Sequence, residues 1–408
     1  MRESPPLLLD ISRTVARARL PAPTGIDRVE RAYIRWASIR GGRFLAAFDG
    51  RHYLLDVDAV GELLGWREDG DDPPRLDLRG RLQVQRDRDL RAAQSLVRSM
   101  ARAVATATGS ARMLSGHLPA GGLYLNVGHD NLSGGMMAAI AKAGFRRAVM
   151  IHDTIPLDHP EFARDGTVEK FRDKLAAALQ ADLLLANSHH TAERLRAHGA
   201  KQTVTVAPLG IDPSEQTITA APAAFVTLGT IEPRKNHALL LKIWRRFWDE
   251  LGDASPRLVI LGRRGWENRE VFGMLDSEPM RGRTVIEAGT PDDAALAEHM
   301  AGAIALLFPS HAEGYGLPLA ESLAAGVPVI ASDLPALREV GAGVPEYLDP
   351  EDSDTWQRVI IGYAAPQSAA RAAQLARLAD WRAPTWAQHF RIIENAIETI
   401  LVHGSNEV

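Results

Sequence analysis

The chain of 408 residues contains no cysteine and no long hydrophobic run. Without cysteine, disulfide bonds and thiolate metal sites are excluded. No stretch approaches the roughly 18 apolar residues needed to cross a bilayer, and the apolar run at residues 7–9 is too short for the core of a signal peptide. We therefore expect a cytoplasmic protein, for which any membrane contact is peripheral.

Two common nucleotide-binding signatures are also absent. No G-x-G-x-x-G opens a βαβ unit, which argues against a dehydrogenase, and no G-x-x-x-x-G-K-[ST] is present, which argues against a P-loop enzyme. The net charge of −4 argues against a nucleic-acid-binding protein. Positive charges slightly outnumber negative ones in residues 1–215, and the reverse holds in the remainder. This asymmetry favours an anionic partner for the first half.

The length indicates two domains, because a single hydrophobic core stops growing at about 250–300 residues. Short apolar runs alternate with helical patterns, as in βαβ units with parallel sheets. Strands are predicted at residues 7–11, 44–48, 123–127, 148–151, 183–186, 204–207, 224–228, 257–261, 284–287, 305–308 and 327–331. The short polar stretch 213–222 predicts the linker, so we divide the chain into domains at 1–213 and 214–385.

Two charged segments interrupt the first half. Residues 66–81 are rich in charge, proline and glycine and predict a surface loop or partly disordered insertion. Residues 86–108 predict an arginine-rich helix. This helix has two interpretations that the sequence leaves open: a solvated face, or a surface for anionic lipid or a polyprenyl-diphosphate acceptor.

The segment 305–331, ALLFPSHAEGYGLPLAESLAAGVPVIA, predicts a buried strand, a glycine-containing loop and a helix that starts near Gly316 and Leu317. Helix N-termini of this kind bind phosphate. Glu313 lies on the loop and Glu321 on the helix. Both carboxylates are therefore expected to face a ligand that lies across the helix start.

A second loop follows the first strand of the second domain and reads LGTIEPRKN. It places Gly229 and Thr230 at the carboxyl end of a strand, where open α/β sheets bind ligands. Arg234 and Lys235 add two cations. Such cations stabilise the negative charge that develops on a departing diphosphate.

Two strand ends in the first domain carry further candidates. The run VMIHDTIP places His152 and Asp153 at the end of a buried strand. The run LLLDISRTVARARLPAPTGI ends in a single glycine, Gly25, with Arg28 close behind. Gly25 is read either as a phosphate contact or as the start of an amphipathic helix capped by Thr24.

The combination of EGYGLPLAE, GVPVIAS and the glutamates at 313 and 321 resembles the signature of retaining glycosyltransferase family 4. Similarity extends over about residues 145–350 and includes Ala186-Asn187-Ser188 with Thr191 and the run VAPLGID at 206–212. The resemblance implies the GT-B fold, with two Rossmann-like domains facing across a cleft. It also implies that residues 386–408 form a helix crossing back to the first domain.

The resemblance implies a role for each candidate residue. Glu313 lies by the donor sugar, Glu321 binds the ribose, and Arg234 and Lys235 hold the diphosphate. His152 contacts the donor sugar from the opposite domain, with Asp153 and Arg28 as orienting or acceptor contacts. The remaining donor contacts are Gly25, Gly229, Thr230, Gly316 and Leu317. A glycine pair is usual in the family where this chain has only Gly25.

The expected reaction moves a sugar, with mannose from GDP-mannose as first choice, to a lipid-linked or growing surface glycan. The resemblance implies retention of configuration and neither cofactor nor metal. The run GTIEPRKN is similar to bacterial mannosyl-, rhamnosyl- and fucosyltransferases of surface polysaccharides. Expected partners are a nucleotide sugar, a glycan or polyprenyl-diphosphate-linked acceptor, and the inner face of the cytoplasmic membrane by peripheral contact.

Alternative functions remain open at this point. One is a sugar-nucleotide 2-epimerase of the same architecture, another a non-catalytic glycan- or nucleotide-binding module, and a third a glycan phosphorylase. Metal-dependent transferases of another fold use Asp-any-Asp motifs, which occur at residues 56–58 and 87–89. A single-domain fold of that kind would leave the segment around Glu313 unexplained.

Overall fold

The computed structural model describes residues 5–20, 23–69, 71–212, 223–266 and 268–403. The predicted linker at 213–222 lies outside the described residues. On either side of it lie two sheets, one of eight strands and one of six. The strands are β1 (Leu7–Asp10), β2 (Arg43–Phe48), β3 (Arg51–Leu55), β4 (Ala103–Thr106), β5 (Leu123–Asn126), β6 (Arg146–Ile151), β7 (Leu183–Ala186), β8 (Thr203–Val206), β9 (Ala224–Leu228), β10 (Leu258–Leu261), β11 (Val285–Gly289), β12 (Ala303–Phe308), β13 (Val329–Ser332) and β14 (Glu346–Leu348).

Helices cover both sheets. They are α1 (Ser12–Arg17), α2 (Gly25–Ile39), α3 (Val57–Leu64), α4 (Leu78–Leu82), α5 (Arg88–Met100), α6 (Ser110–His117), α7 (Gly134–Lys142), α8 (Ile155–Asp158), α9 (Thr167–Ala178), α10 (His189–Ala197), α11 (His237–Leu251), α12 (Arg269–Ser277), α13 (Asp293–Ala301), α14 (Leu317–Ala324), α15 (Pro335–Gly341), α16 (Ser353–Ala364), α17 (Ala369–Leu378) and α18 (Trp386–His403). None of the helices in the described part of the chain is long and apolar enough to cross a membrane.

Each sheet reverses its strand order at one point. The first sheet has the order β4-β3-β2-β1-β5-β6-β7-β8, and the second has β11-β10-β9-β12-β13-β14. The chain therefore proceeds outward in opposite directions from the β1/β5 pair and from the β9/β12 pair. Crevices at such switch points, at the carboxyl ends of the strands, are where open α/β sheets bind ligands.

The central strands are buried on both faces, which explains their unbroken apolar sequences. Every residue of β5, β7, β10 and β13 is buried. Parallel strands covered by helices on both sides need such sequences, because neither face meets water. The fold is thus the α/β architecture that the sequence predicts, with a parallel second sheet and a first sheet that is parallel except for β3.

Two expectations about local structure were wrong, and two strands, β3 and β14, were not predicted. The helix predicted at 86–108 ends at Met100, and residues 103–106 form the edge strand β4 instead. The loop predicted at 66–81 contains the start of helix α4. The signal for β3 in the sequence is the pair Asp49-Gly50. Both residues have positive φ, as a two-residue type I′ hairpin requires.

The last helix, α18, lies against the first domain. The Tyr33 hydroxyl on α2 is 2.8 Å from Nε2 of His389, and Nδ1 of His389 bonds to the Pro208 carbonyl at 2.9 Å. Trp36 stacks on Phe390 with the ring planes 5° apart. This aromatic cluster fixes the returning helix beside β6 and β7.

Candidate active site

The switch point of the second sheet brings together the two segments predicted to act on the donor. Lys235 Nζ lies 2.5 Å from Oε1 of Glu313, and Arg234 Nη1 lies 3.0 Å from Oε2 of the same carboxylate. Lys235 and Arg234 follow β9, whereas Glu313 follows β12. Residues 78 positions apart in sequence meet because the two strands are neighbours.

Burial and charge act against each other at this cluster. Burial raises the pKa of Glu313, but the charges of Arg234 and Lys235 outweigh it and lower that pKa to about 2. Burial lowers the pKa of Lys235, which Glu313 partly offsets. A buried charge is stable only when paired. The carboxylate and both cations are therefore ionised around neutral pH and form a compact group of paired charges.

A second carboxylate belongs to this cluster and has no role in the sequence analysis. Glu232 is buried, and its Oε1 accepts hydrogen bonds from Nε and Nη2 of Arg234 at 3.2 and 2.9 Å. Arg234 Nη1 also donates to the Ala312 carbonyl at 2.7 Å. These contacts fix the guanidinium in one orientation. The sequence signal that could have identified Glu232 is its position two residues before Arg234 in the loop that follows β9.

Glycines let the backbone of the donor loop approach its neighbours closely. Gly229 has φ of +142°, and a Cβ at the facing Gly262 would lie 1.8 Å from the Gly229 carbonyl oxygen. A Cβ at Gly265 would lie 2.7 Å from the Thr230 side chain. Side chains at either position would displace this loop, so Gly229 and Thr230 are held in a narrow site above β9 and β10.

Two helices begin on opposite sides of the cleft between the domains. Helix α14 begins at Leu317 after Gly316, which has φ of +98°. Helix α2 begins at Gly25, and a Cβ on Gly25 would lie 3.1 Å from the Leu317 side chain. Helix N-termini carry partial positive charge and unpaired N–H groups. Gly25 is therefore at once a helix start and a residue of the cleft.

The start of α2 is held by charged residues that the sequence analysis did not single out. Asp27 completes a capping box with Thr24, and Nε of Arg13 donates to Asp27 Oδ1 at 2.7 Å. Arg17 also pairs with Asp27, and Arg263 of the second domain lies near enough to lower the pKa of Arg17 further. Cations from both domains thus surround this end of the cleft.

The predicted ribose contact, Glu321, is engaged across the cleft. Its Oε1 forms an ion pair with Nη2 of Arg28 on α2. Both side chains are partly exposed. The structure therefore joins two residues that the sequence places in separate roles and separate domains.

His152 lies buried at the carboxyl end of β6. Its Nε2 lies 2.8 Å from the Val127 carbonyl oxygen. Because a carbonyl oxygen can only accept, Nε2 carries the proton and donates it to this hydrogen bond. Burial lowers the pKa of His152 to about 4, so the ring is neutral at neutral pH. Nδ1 of this ring is then a hydrogen-bond acceptor. Burial also raises the pKa of Asp153, against the nearby charge of Arg234.

The loop that carries Glu313 contacts the first domain directly. Ser188 Oγ donates to the Gly314 carbonyl at 2.8 Å. A Cβ on Gly314 would lie 2.2 Å from the His152 carbonyl oxygen. Asn187 Nδ2 holds the same His152 carbonyl at 2.9 Å. Only glycine at 314 permits this approach, so Glu313 and His152 are brought to the same part of the cleft.

The switch point of the first sheet contains a cavity of about 390 Å³. Polar and apolar atoms contribute about equally to its lining, which consists of Ser12, Ala16, Ala47, Asp130, Asn131, Leu132, Ser133 and Lys174. Asn131 is held from behind by buried Asp10, whose Oδ2 accepts from Asn131 Nδ2 at 2.8 Å. Asp130 of this lining follows His129 in sequence, and the His129 ring lies 5.1 Å from that of His152.

The two Asp-any-Asp motifs have structural roles. Asp56 precedes α3 and pairs with Arg43 and Arg102, whereas Asp87 caps the N-terminus of α5. Among the described residues, no group of three or more histidine or acidic side chains is arranged to hold a metal ion.

Solved structures share this architecture. HepE from Anabaena, solved in complex with UDP, aligns with a TM-score of 0.64 at 17% identity over 97% of this chain and all of that one. A trehalose-6-phosphate synthase aligns with a TM-score of 0.58 at 12% identity over 97% of this chain and 98% of that one. Two facing parallel-sheet domains of this kind define the GT-B class of fold.

Sequence comparison finds a match over the second domain. Residues 212–358 match the glycosyl transferases group 1 family. Relatives of the chain include the serotype-specific mannosyltransferase WbdA of Escherichia coli, 34% identical over 223 residues, 48% of this chain and 27% of the relative. The O-antigen chain mannosyltransferase B of Escherichia coli is 34% identical over 127 residues, 31% of this chain and 33% of the relative. The chain thus matches about a quarter to a third of these relatives' length.

Proposed function

We propose that this protein is a retaining glycosyltransferase that moves mannose from GDP-mannose to a lipid-linked or growing surface glycan, at the inner face of the cytoplasmic membrane. The observation that carries the proposal is the Arg234–Lys235–Glu313 cluster at the switch point of a glycosyl transferases group 1 domain. Two relatives support the choice of mannose and of a surface glycan: one is named a serotype-specific mannosyltransferase and the other an O-antigen chain mannosyltransferase.

In the proposed reaction the bond between the anomeric carbon and the β-phosphate oxygen breaks, and the acceptor hydroxyl oxygen bonds to the same carbon on the same face. The acceptor proton passes to the leaving diphosphate. Arg234 and Lys235 stabilise the negative charge on that diphosphate, together with the α14 start at Gly316 and Leu317. These groups supply positive charge without a metal, and we propose that none is required.

The other residues position the sugar and the nucleoside. We propose that Glu313 orients the donor sugar, while neutral His152 accepts a hydrogen bond from a sugar hydroxyl through Nδ1. Glu321 binds the ribose after leaving Arg28. Gly229 and Thr230 shape the diphosphate site, and Gly25 closes it from the first domain.

We propose the cavity at the β1/β5 switch point as the place of the acceptor. It lies in the first domain, and its lining includes hydroxyl, amide, carboxylate and ammonium groups. Such groups bind sugar hydroxyls through hydrogen bonds. Asp153 is close to Arg234, and we propose that it orients the acceptor.

The first experiment is a thermal-shift panel with GDP, UDP, dTDP, ADP and CMP, each with and without magnesium. A ligand that binds only the native state raises the melting temperature, so a shift with GDP alone and without magnesium is the expected result. Release of nucleotide diphosphate from the donor then tests catalysis. A binding module would show the shift but no release, and a 2-epimerase would convert the donor without an acceptor. Proton NMR of the product reports the anomeric configuration.

A further inference from the structure

A short helix in the first domain presents apolar side chains to solvent. Leu78 and Leu82 of α4 and Val84 just after it are 75%, 74% and 72% exposed. We call this region the α4 surface and define it as residues 75–88. Single exposed apolar side chains are common, but a cluster of them marks an interaction site.

The geometry of α4 explains why its leucines point outward. Gly80 is buried against α5, and a Cβ there would lie 2.5 Å from Ser95 Oγ. Leu78 precedes Gly80 by two residues and Leu82 follows it by two. Each is therefore rotated by about 200° from Gly80 around the helix axis. They share one face, four residues apart, and that face is opposite to the packed one.

The helix is anchored rather than loosely attached. Arg98 of α5 donates to both oxygens of Asp77, at 2.6 and 2.8 Å, and Asp77 caps α4 by accepting from the Gly80 N–H at 2.7 Å. Arg91 Nη1 donates to the Gly80 carbonyl at 3.1 Å. The arginine-rich helix α5 thus uses Arg91 and Arg98 to hold α4 in place.

The α4 surface is positively charged in a chain of net charge −4. It has five arginines against two aspartates, and Asp77 is already bound to Arg98. Arg79 and Arg86 pair with Asp49. The other three arginines, at 75, 81 and 88, are exposed and form no ion pair with any residue in the described part of the chain.

We infer that the α4 surface docks on an anionic lipid bilayer. The paired leucines and Val84 enter the boundary between headgroups and acyl chains, and the flanking arginines contact lipid phosphates. Apolar side chains next to arginines fit such a bilayer, because acyl chains and lipid phosphates lie close together at its surface. This inference rests on the membrane location in the proposed function and assigns the contact to residues 75–88, none of which lines the cavity at the β1/β5 switch point.

Vesicle sedimentation tests the inference without donor or acceptor. The probe is phosphatidylcholine vesicles with and without phosphatidylglycerol, at low and high salt. We expect the protein to sediment with the anionic vesicles at low salt, and to be released as salt screens the arginines. Equal binding to neutral vesicles, or no binding to either, would overturn the inference.

Variants locate the contact. Leu78→Ser with Leu82→Ser is expected to abolish sedimentation, whereas Ile39→Ser, at another exposed apolar site, is the matched control and is expected to bind normally. Replacing Arg75, Arg81 and Arg88 by Gln is expected to weaken binding by about fivefold per charge. The control triple replaces exposed Arg112, Arg172 and Arg196.

Melting temperatures show that each variant is folded. If the triple variant at 75, 81 and 88 and the control triple variant reduced binding equally, the assignment of the contact to the α4 surface would be wrong. If the wild type dimerised in solution and the leucine variant did not, the surface would belong to a second copy of the chain and the lipid inference would fail.

Discussion

Arg28 of α2 and Glu321 of α14 form an ion pair that spans the cleft between the two domains. Glu321 is also the residue proposed to bind the ribose of the donor. The Arg28 guanidinium and a ribose would draw on the same carboxylate, and we expect a bound ribose to weaken the ion pair. The pair therefore competes with the nucleotide for the same group.

The competition predicts opposite effects for the two partners. Arg28→Met is expected to tighten GDP binding by up to about fivefold, the strength of a partly exposed pair. Glu321→Ala is expected to weaken GDP binding, because the ribose loses its acceptor. Isothermal titration calorimetry measures both dissociation constants, with exposed Arg196→Met as control. Weaker GDP binding by Arg28→Met would mean that Arg28 assists the donor directly.

Glu313→Gln is expected to reduce transfer by about 100-fold or more, because it removes the carboxylate proposed to orient the donor sugar. It also leaves Arg234 and Lys235 buried without their shared partner, which is expected to destabilise the protein by about 3 kcal/mol. GDP can supply the missing negative charge. The thermal shift with GDP is therefore expected to be larger in this variant than in the wild type.

Glu351→Gln is the matched control for that variant, since Glu351 is an exposed residue of the second domain that pairs with His311. It is expected to leave transfer and the GDP shift unchanged. Near-normal transfer by Glu313→Gln would contradict the assignment of Glu313.

Gly314→Ala is expected to keep the domains from closing, because the new Cβ would meet the His152 carbonyl oxygen. Transfer is expected to fall steeply while GDP binding, which needs mainly the second domain, changes little. Small-angle X-ray scattering is expected to show a larger radius of gyration. Gly343→Ala is the control, since nothing lies within 4 Å of a Cβ at that position. A compact and active Gly314→Ala protein would disprove the contact.

Glu30 of α2 predicts a dependence of stability on pH. It is buried, its Oε1 has no hydrogen-bond partner among the described residues, and burial raises its pKa to about 8. The folded state thus holds a proton that the unfolded state releases above about pH 4.5. Stability from this group is complete below that value and declines until the pH passes the folded pKa.

The decline is expected to reach about 1 kcal/mol between about pH 7 and pH 8. Glu30→Gln mimics the protonated form and is expected to flatten this decline, while exposed Glu193→Gln is expected to retain it. Urea unfolding at each pH measures the free energy of unfolding. Parallel pH curves for the wild type and Glu30→Gln would contradict the assignment.

Local sequence predicted the strands that are buried on both faces. The predicted bounds 183–186 and 224–228 match β7 and β9 at both ends, because these strands are distinct, mostly apolar runs in the sequence. Strand β4 was assigned to a helix, since an edge strand with alternating exposure has little apolar signal. The helix start at Leu317 was also predicted, from its proline in the first turn.

The site could be predicted only within each segment. The glutamate at 313 and the cations at 234 and 235 were assigned to one ligand through the family resemblance, and the structure places them in contact. The pairing of Arg28 with Glu321 and the packing of Gly314 on His152 join distant segments. No local pattern encodes such contacts, because they depend on how two separately formed domains meet.

The return of α18 has a mechanical consequence. The described residues before the linker lie beside the segment that leads back into α18: the Ile211 N–H donates to the Pro384 carbonyl at 2.9 Å, and a Cβ on Gly210 would lie 2.3 Å from the Trp386 nitrogen. Two adjacent tethers permit rotation about the line through them and resist twisting or sliding. We therefore expect the cleft to open by a hinge rotation about these adjacent segments, a motion that separates Arg28 from Glu321.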